Sequence, residues 1–140
     1  MSGADASRWA SHHAPSLDDI RALAVSAWDG LPEEFRALTG DIVILVEDFA
    51  TEEVLDDLGI ESEFGLLGLY QGINVIDAGA SDGNALPNTI HLYRRPILDY
   101  WAEFEETLLA VVTHVLVHEI GHHFGLSDEA MAQIEAQAGE

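Results

Sequence analysis

His118-Glu119-Ile120-Gly121-His122-His123-Phe124-Gly125-Leu126-Ser127-Asp128 is the stretch on which the fold turns. It follows the ten-residue run Leu108 to Val117, apolar except for Thr113 and His114. Apolar residues on most of a helix surface predict a long, largely buried helix from about Phe104 to Phe124, and so make its polar residues informative. Two histidines four apart differ by about 6 Å of rise and about 40° of rotation, so their rings can converge on one ion. Imidazole is a good zinc ligand, and two of them need one more protein group and an open position to make a catalytic site. Glu119, about 100° round from His118, can reach a metal-bound water without binding the metal itself. A carboxylate so placed can take a proton from that water and return it to a leaving amine. The bland alternative is two solvated histidines and a solvated glutamate. The flanks Val115, Leu116, Val117 and Ile120 speak against it, because unpaired ionisable groups are costly to bury.

The third ligand is read from the turn. Gly125 can end the helix in the left-handed conformation, and the chain can then bring Asp128 back beneath the histidines. The string fits HExxHxxGxxD, which is far more specific than HExxH. Alternatively Asp128 simply occupies the first turn of a last helix, capped by Ser127 and running to about Gln137, where the dipole favours it. Glu135 is a later carboxylate that could serve instead, but the short turn makes Asp128 the nearer choice. His114 shares the stripe with His118 and His122. It stands about 12 Å of rise from His122, too far for both to hold one ion at about 2 Å. We read His114 and His123 as hydrogen-bonded or partly exposed neighbours of the ligands.

Upstream, residues 1–15 are small and polar and read as a flexible arm, with residues 16–140 as a single domain. His12 and His13 in that arm read as incidental. Ser16 caps a helix with Asp18 and Asp19 in its first turn and Ile20, Leu23, Ala24 and Trp28 on one face, stopped by Gly30. Pro32 opens a short helical stretch through Leu38, ended by Gly40. Ile42 to Val46 suits a strand buried on both faces and central in a sheet. Thr51 caps a helix from Glu52 to Leu58, and Leu66 to Tyr70 reads as a second strand. Residues 74–88 read as a long loop whose acidic part, 77–84, lacks the spacing of a calcium site. Thr89 to Arg94 alternates and stops before Pro96, which predicts an edge strand.

The region from His118 to Asp128, continuing into Glu129 and Met131, resembles the signature of a family of short bacterial zincin-like zinc metallopeptidases, the minimal zincins. Pro32 to Phe35, Val46-Glu47-Asp48, Leu67 to Gly72 and Ile90 to Arg94 with Pro96 are similar to that family too. The resemblance covers roughly residues 30–131. It implies an α+β, zincin-like minimal metalloprotease fold, with a small mixed sheet packed on a buried active-site helix. It also implies one Zn2+ per chain held by His118, His122 and Asp128, with Glu119 as general base. In such an architecture an edge strand above the helix can hold an extended peptide by main-chain hydrogen bonds. Residues 89–94 are the candidate, with Tyr93 or Arg94 available to the oxyanion. The alternatives are a packed tyrosine and an arginine paired with surplus acid.

Composition limits the rest. The chain has 140 residues, 26 acidic and five basic, for a net charge of −21; all five basic residues are arginine. So negative a surface repels phosphate backbones and anionic lipid, and favours basic or neutral peptides or unfolded protein as substrate. There is no cysteine, hence no thiolate ligand or nucleophile. Nothing at the N-terminus resembles a secretory signal, and the apolar run is about half the length of a membrane span, so a cytoplasmic protein is expected. Two other readings remain: a catalytically silent zinc-binding interaction module, which structural sites usually close with four ligands, and a metal-dependent nuclease, which the charge opposes. With so few cations to displace counterions, a gel-shift titration at physiological salt is expected to show no submicromolar retention of RNA or DNA. Tight, salt-sensitive retention would revive the nuclease.

Overall fold

In a computed structural model, residues 6–72 and 88–138 are described. They form seven α-helices, one 3-10 turn and a three-stranded mixed sheet. The order is α1 (Ala6–Ala10), α2 (Leu17–Asp29), α3 (Glu33–Arg36), β1 (Ile42–Glu47), α4 (Glu52–Leu58), the 3-10 turn Glu63–Gly65, β2 (Gly68–Gln71), β3 (Asn88–Tyr93), α5 (Arg94–Glu103), α6 (Leu108–His123) and α7 (Asp128–Ala138). No helix among the described residues is long and apolar enough to cross a membrane. The loop read over residues 74–88 lies outside the described residues, except for Asn88, which opens β3.

The local signals act where the sequence places them. The Ser16 side chain accepts from the Asp19 amide at 3.0 Å, and the Asp19 carboxylate accepts from the Ser16 amide at 2.9 Å. This reciprocal pair satisfies donors that an open helix start leaves free. Thr51 and Ser127 cap α4 and α7 in the same sense. Ile20, Ala24 and Ala27 then bury one face of α2 against α6 and β1. The arm carries the short helix α1, none of whose residues is buried, and Pro15 at its end accepts a hydrogen bond from Arg94 Nε.

The sheet corrects two expectations. Its order is β1-β3-β2, so β3 is the central strand and β1 an edge. β3 pairs in parallel with β1, from Ile42↔Asn88 to Glu47↔Tyr93, and antiparallel with β2, from Gly68↔Leu92 to Gln71↔Thr89. The proline that suggested an edge lies beyond the strand, as the third residue of α5. There its missing amide costs nothing, because first-turn amides have no partner within the helix. For β1, five consecutive apolar residues suggested burial on both faces. Only Ile42, Ile44 and Val46 turn to the helices, while Val43 and Leu45 are 37% and 44% exposed. β-Branching favours the extended backbone whether one face is covered or two, so the run could not settle which. Among the described residues the other face is covered at the Tyr93 end, where Ala50, Leu55 and Tyr93 form a smaller cluster with Leu66 and Leu69. Leu45→Thr should therefore change stability by no more than about 0.5 kcal/mol. Ile44→Ala should cost about 2–5 kcal/mol. Denaturant unfolding of the two variants checks this, and comparable losses in both would return β1 to the centre.

Candidate metal centre

α6 is less enclosed than its composition suggests. Val111, Val112, Val115, Leu116, Val117, Ile120 and Gly121 are buried, but Leu109, His114, His122 and His123 are exposed. The polar residues thus gather along an open flank, with His118 and Glu119 half-buried. The burial argument for a metal holds for those two alone. Thr107, whose hydroxyl accepts from the Ala110 amide at 3.1 Å, starts the helix later than expected. A separate helix, α5, occupies residues that the sequence left between strand and helix.

The end of α6 is set by Gly125, at φ 74°. The Leu126 amide donates to Gly121 carbonyl oxygen at 2.9 Å, and the Gly125 amide to that of His122 at 3.2 Å. These two bonds close the helix through a left-handed residue and send the chain back along it as α7. The two helices meet closely at Gly121. A Cβ there would overlap the Met131 side chain, with Cγ only 2.9 Å away, and Met131 is fully buried. One turn beyond Met131, Glu135 comes level with His118 and His114.

That placement produces a cluster. Glu135 Oε1 lies 2.8 Å from His114 Nδ1, and its Oε2 lies 3.3 Å from His118 Nε2. The His114 and His118 ring centroids are 3.9 Å apart. Among the described residues, His114, His118 and Glu135 are the group of three whose ligand atoms all lie within 4.8 Å of one another. The His118 and His122 rings stand 5.5 Å apart and perpendicular, at 89°. Asp128 opens α7 as an exposed residue beside its cap and is not brought into such a group with His118 and His122. Sequence reasoning weighed Glu135 and set it aside for chain distance. The available signal was its position four residues after Met131, on the same face of α7.

The donors fit a zinc ion. Tetrahedral bonds of about 2.0–2.1 Å place neighbouring ligand atoms about 3.3 Å apart, which is the spacing of His118 Nε2 and Glu135 Oε2. Burial, reinforced by the charge of His114, pushes His118 below its ordinary value, toward the neutral form that can donate a lone pair. Burial pushes Glu119 above the usual carboxylate range, with the charge of His122 pulling the other way. A carboxylate raised in this way is a better proton acceptor than one in water.

His123 is exposed and meets Tyr70 edge-on, with centroids 4.8 Å apart. Arg94 donates from Nε to the Pro15 carbonyl and from NH1 to Asp48 at 3.1 Å, the pairing with surplus acid that was the alternative for it. Tyr93 is 2% exposed, and burial, with the charges of Glu47 and Glu119, pushes its phenol up to about 12.

An α+β domain with a small mixed sheet and an HExxH helix at its flank defines the zincin class of architecture. The family model for zincin-like metallopeptidases matches residues 39–138, and the chain belongs to that family. No curated protein matches it. The resemblance and the fold class read from the sequence are both borne out. Tyr93 gives a test of the packing beside the site. Its folded value of about 12 exceeds the ordinary value of about 10, so its contribution is complete below about pH 10 and lost as pH climbs toward 12. Tyr93→Phe should blunt the fall in melting temperature between about pH 10 and about pH 12, and identical falls in both proteins would mean the phenol is not enclosed.

Proposed function

We propose that this chain is a zinc-dependent peptidase acting on peptides or unfolded protein, with His118, His122 and Asp128 as metal ligands and Glu119 as general base. The observation that carries the reading is the HExxH turn itself: His118 and His122 present perpendicular rings on one open flank, beside a half-buried glutamate whose carboxyl is raised by burial. Zinc bound there would supply Lewis-acid polarisation of the scissile carbonyl and acidify a water. Glu119 accepts the proton of the attacking water and delivers it to the leaving amine. Asp128 as third ligand rests on the HExxHxxGxxD string, and Glu135 is its competitor because it already faces His118.

Substrate placement moves from β3 to β2. Residues 89–92 are paired on both sides and Arg94 begins α5, so β3 cannot take a further strand. β2 pairs on one side with β3 and packs against α6, so its outer edge is the candidate for holding an extended peptide. Neutral Tyr93 retains a proton to donate, whereas Arg94 is engaged elsewhere. The net charge of −21 favours neutral or basic peptides and disfavours nucleic acid and anionic membrane. The reading places the protein in the cytoplasm.

Peptide-library cleavage together with metal analysis tests this. Glu119→Gln should keep zinc while turnover falls by about 10²-fold or more. With the competing carboxylate removed by Glu135→Gln, Asp128→Ala should lose zinc affinity and Asp128→His should retain it. A role in the helix start alone would cost about 0.3–1 kcal/mol and leave zinc bound in both. Zinc binding with no cleavage of any peptide would leave the silent module instead. Full zinc occupancy in Asp128→Ala combined with Glu135→Gln would remove Asp128 from the ligand set.

A further inference from the structure

We propose that His114, His118 and Glu135 form a second ligand set for a divalent transition-metal ion, and that this set competes with the His118–His122 set for one ion. The first observation is geometric. Glu135 offers one oxygen to each imidazole, at 2.8 Å from His114 Nδ1 and 3.3 Å from His118 Nε2. All three ligand atoms lie within 4.8 Å of one another, so an ion at about 2.0–2.1 Å from each requires only small side-chain adjustment. Two imidazoles and one carboxylate suit zinc, cobalt or nickel over calcium or magnesium.

The second observation is access. A cleft of about 650 Å³ runs between α6 and α7, lined by His114 and Glu135 with Glu106 and Thr113. His114 is exposed to it, while His118 and Glu135 are partly covered. An ion can therefore reach His114 and Glu135 from solvent.

Competition follows from the helix. His114, His118 and His122 are spaced one turn apart, and His114 and His122 cannot share an ion across about 12 Å of rise. His118 belongs to both pairs, and Nε2, the atom that faces Glu135, can bind one metal at a time. The exclusivity rests on the reading of His118 and His122 as ligands given above; the trio itself does not. Glu119 lies between His118 and His122 and serves an ion held by that pair. An ion held by His114, His118 and Glu135 has moved a turn toward the N-terminus of α6, away from the base. The trio is thus a parking position, in which the chain keeps zinc but withholds it from chemistry.

Zinc titration of the full chain against a chromophoric chelator tests this without any substrate. Wild type is expected to bind one zinc, and His122→Ala still one. Adding His114→Ala or Glu135→Gln to His122→Ala should then weaken binding by about 100-fold or more, at or beyond the upper end of what loss of a supporting partner costs. His114 is exposed and Glu135→Gln keeps the side-chain shape, so both changes leave the fold in place, and thermal melting of the metal-free variants verifies it. If His122→Ala binds no zinc, the trio is overturned and the zincin site stands; if it binds zinc indifferently to the second change, the trio is overturned and His122 with it. Two ions in wild type would overturn the sharing of His118. No zinc in wild type would overturn this proposal and the peptidase reading together.

Discussion

The close approach of α7 to α6 at Gly121 is the contact on which the site depends. A side chain at that position would occupy the space of Met131, which is fully buried. Because Gly121 has none, the Met131 thioether seats against the backbone of α6, and the helices run near enough for Glu135 to reach two histidines. Gly125 makes the contact possible by reversing the chain at φ 74°. In the motif, then, both glycines are structural, one for the turn and one for the approach. The histidines and the glutamate gain their geometry from them.

The same helix explains why the motif can be open to solvent and still be held in place. α6 anchors itself through Val112, Leu116, Val117 and Ile120, which meet α2 and the sheet, so its polar flank needs no cover of its own. Half-burial leaves His118 shifted toward neutrality and Glu119 toward protonation. The first shift favours the imidazole form that can hold a metal, while the second makes the Glu119 carboxylate a stronger base at the cost of a smaller ionised fraction. Full burial would make both shifts larger and would leave less of Glu119 ionised.

Much of this was legible from the residues. Caps such as Ser16, Thr51 and Ser127 are local chemistry, and each sits where its helix begins. The HExxH helix and its glycine stop were legible for the same reason, since spacing along a helix fixes relative direction. What the sequence could not yield was anything decided between elements. The run Ile42 to Val46 looks identical whether one face or two are covered, and Pro96 looks like the end of a strand although it lies in the first turn of a helix. Glu135 is the clearest case. Its nearness to His118 is set by how closely two helices pack, and chain separation argues for Asp128 instead. The error in judging α6 as enclosed is of the same kind, because its mean apolarity hides an exposed stripe through His114 and His122.

The charge of the chain bears on how metal selectivity must arise. With a net charge of −21 the whole surface attracts cations, so the field raises the local concentration of every divalent ion without distinguishing among them. Hard cations such as calcium and magnesium gain from that field as much as zinc does. Discrimination therefore has to come from the ligands, and the three histidines on α6 supply nitrogen donors in a chain otherwise rich in carboxylate oxygen. Placing them in a row, one turn apart, keeps nitrogen at hand for an ion moving along the helix. On the two ligand sets proposed above, the carboxylates would fix where along that row it stops. The histidines would then select the metal, and the choice between Asp128 and Glu135 would determine whether Glu119 is beside it.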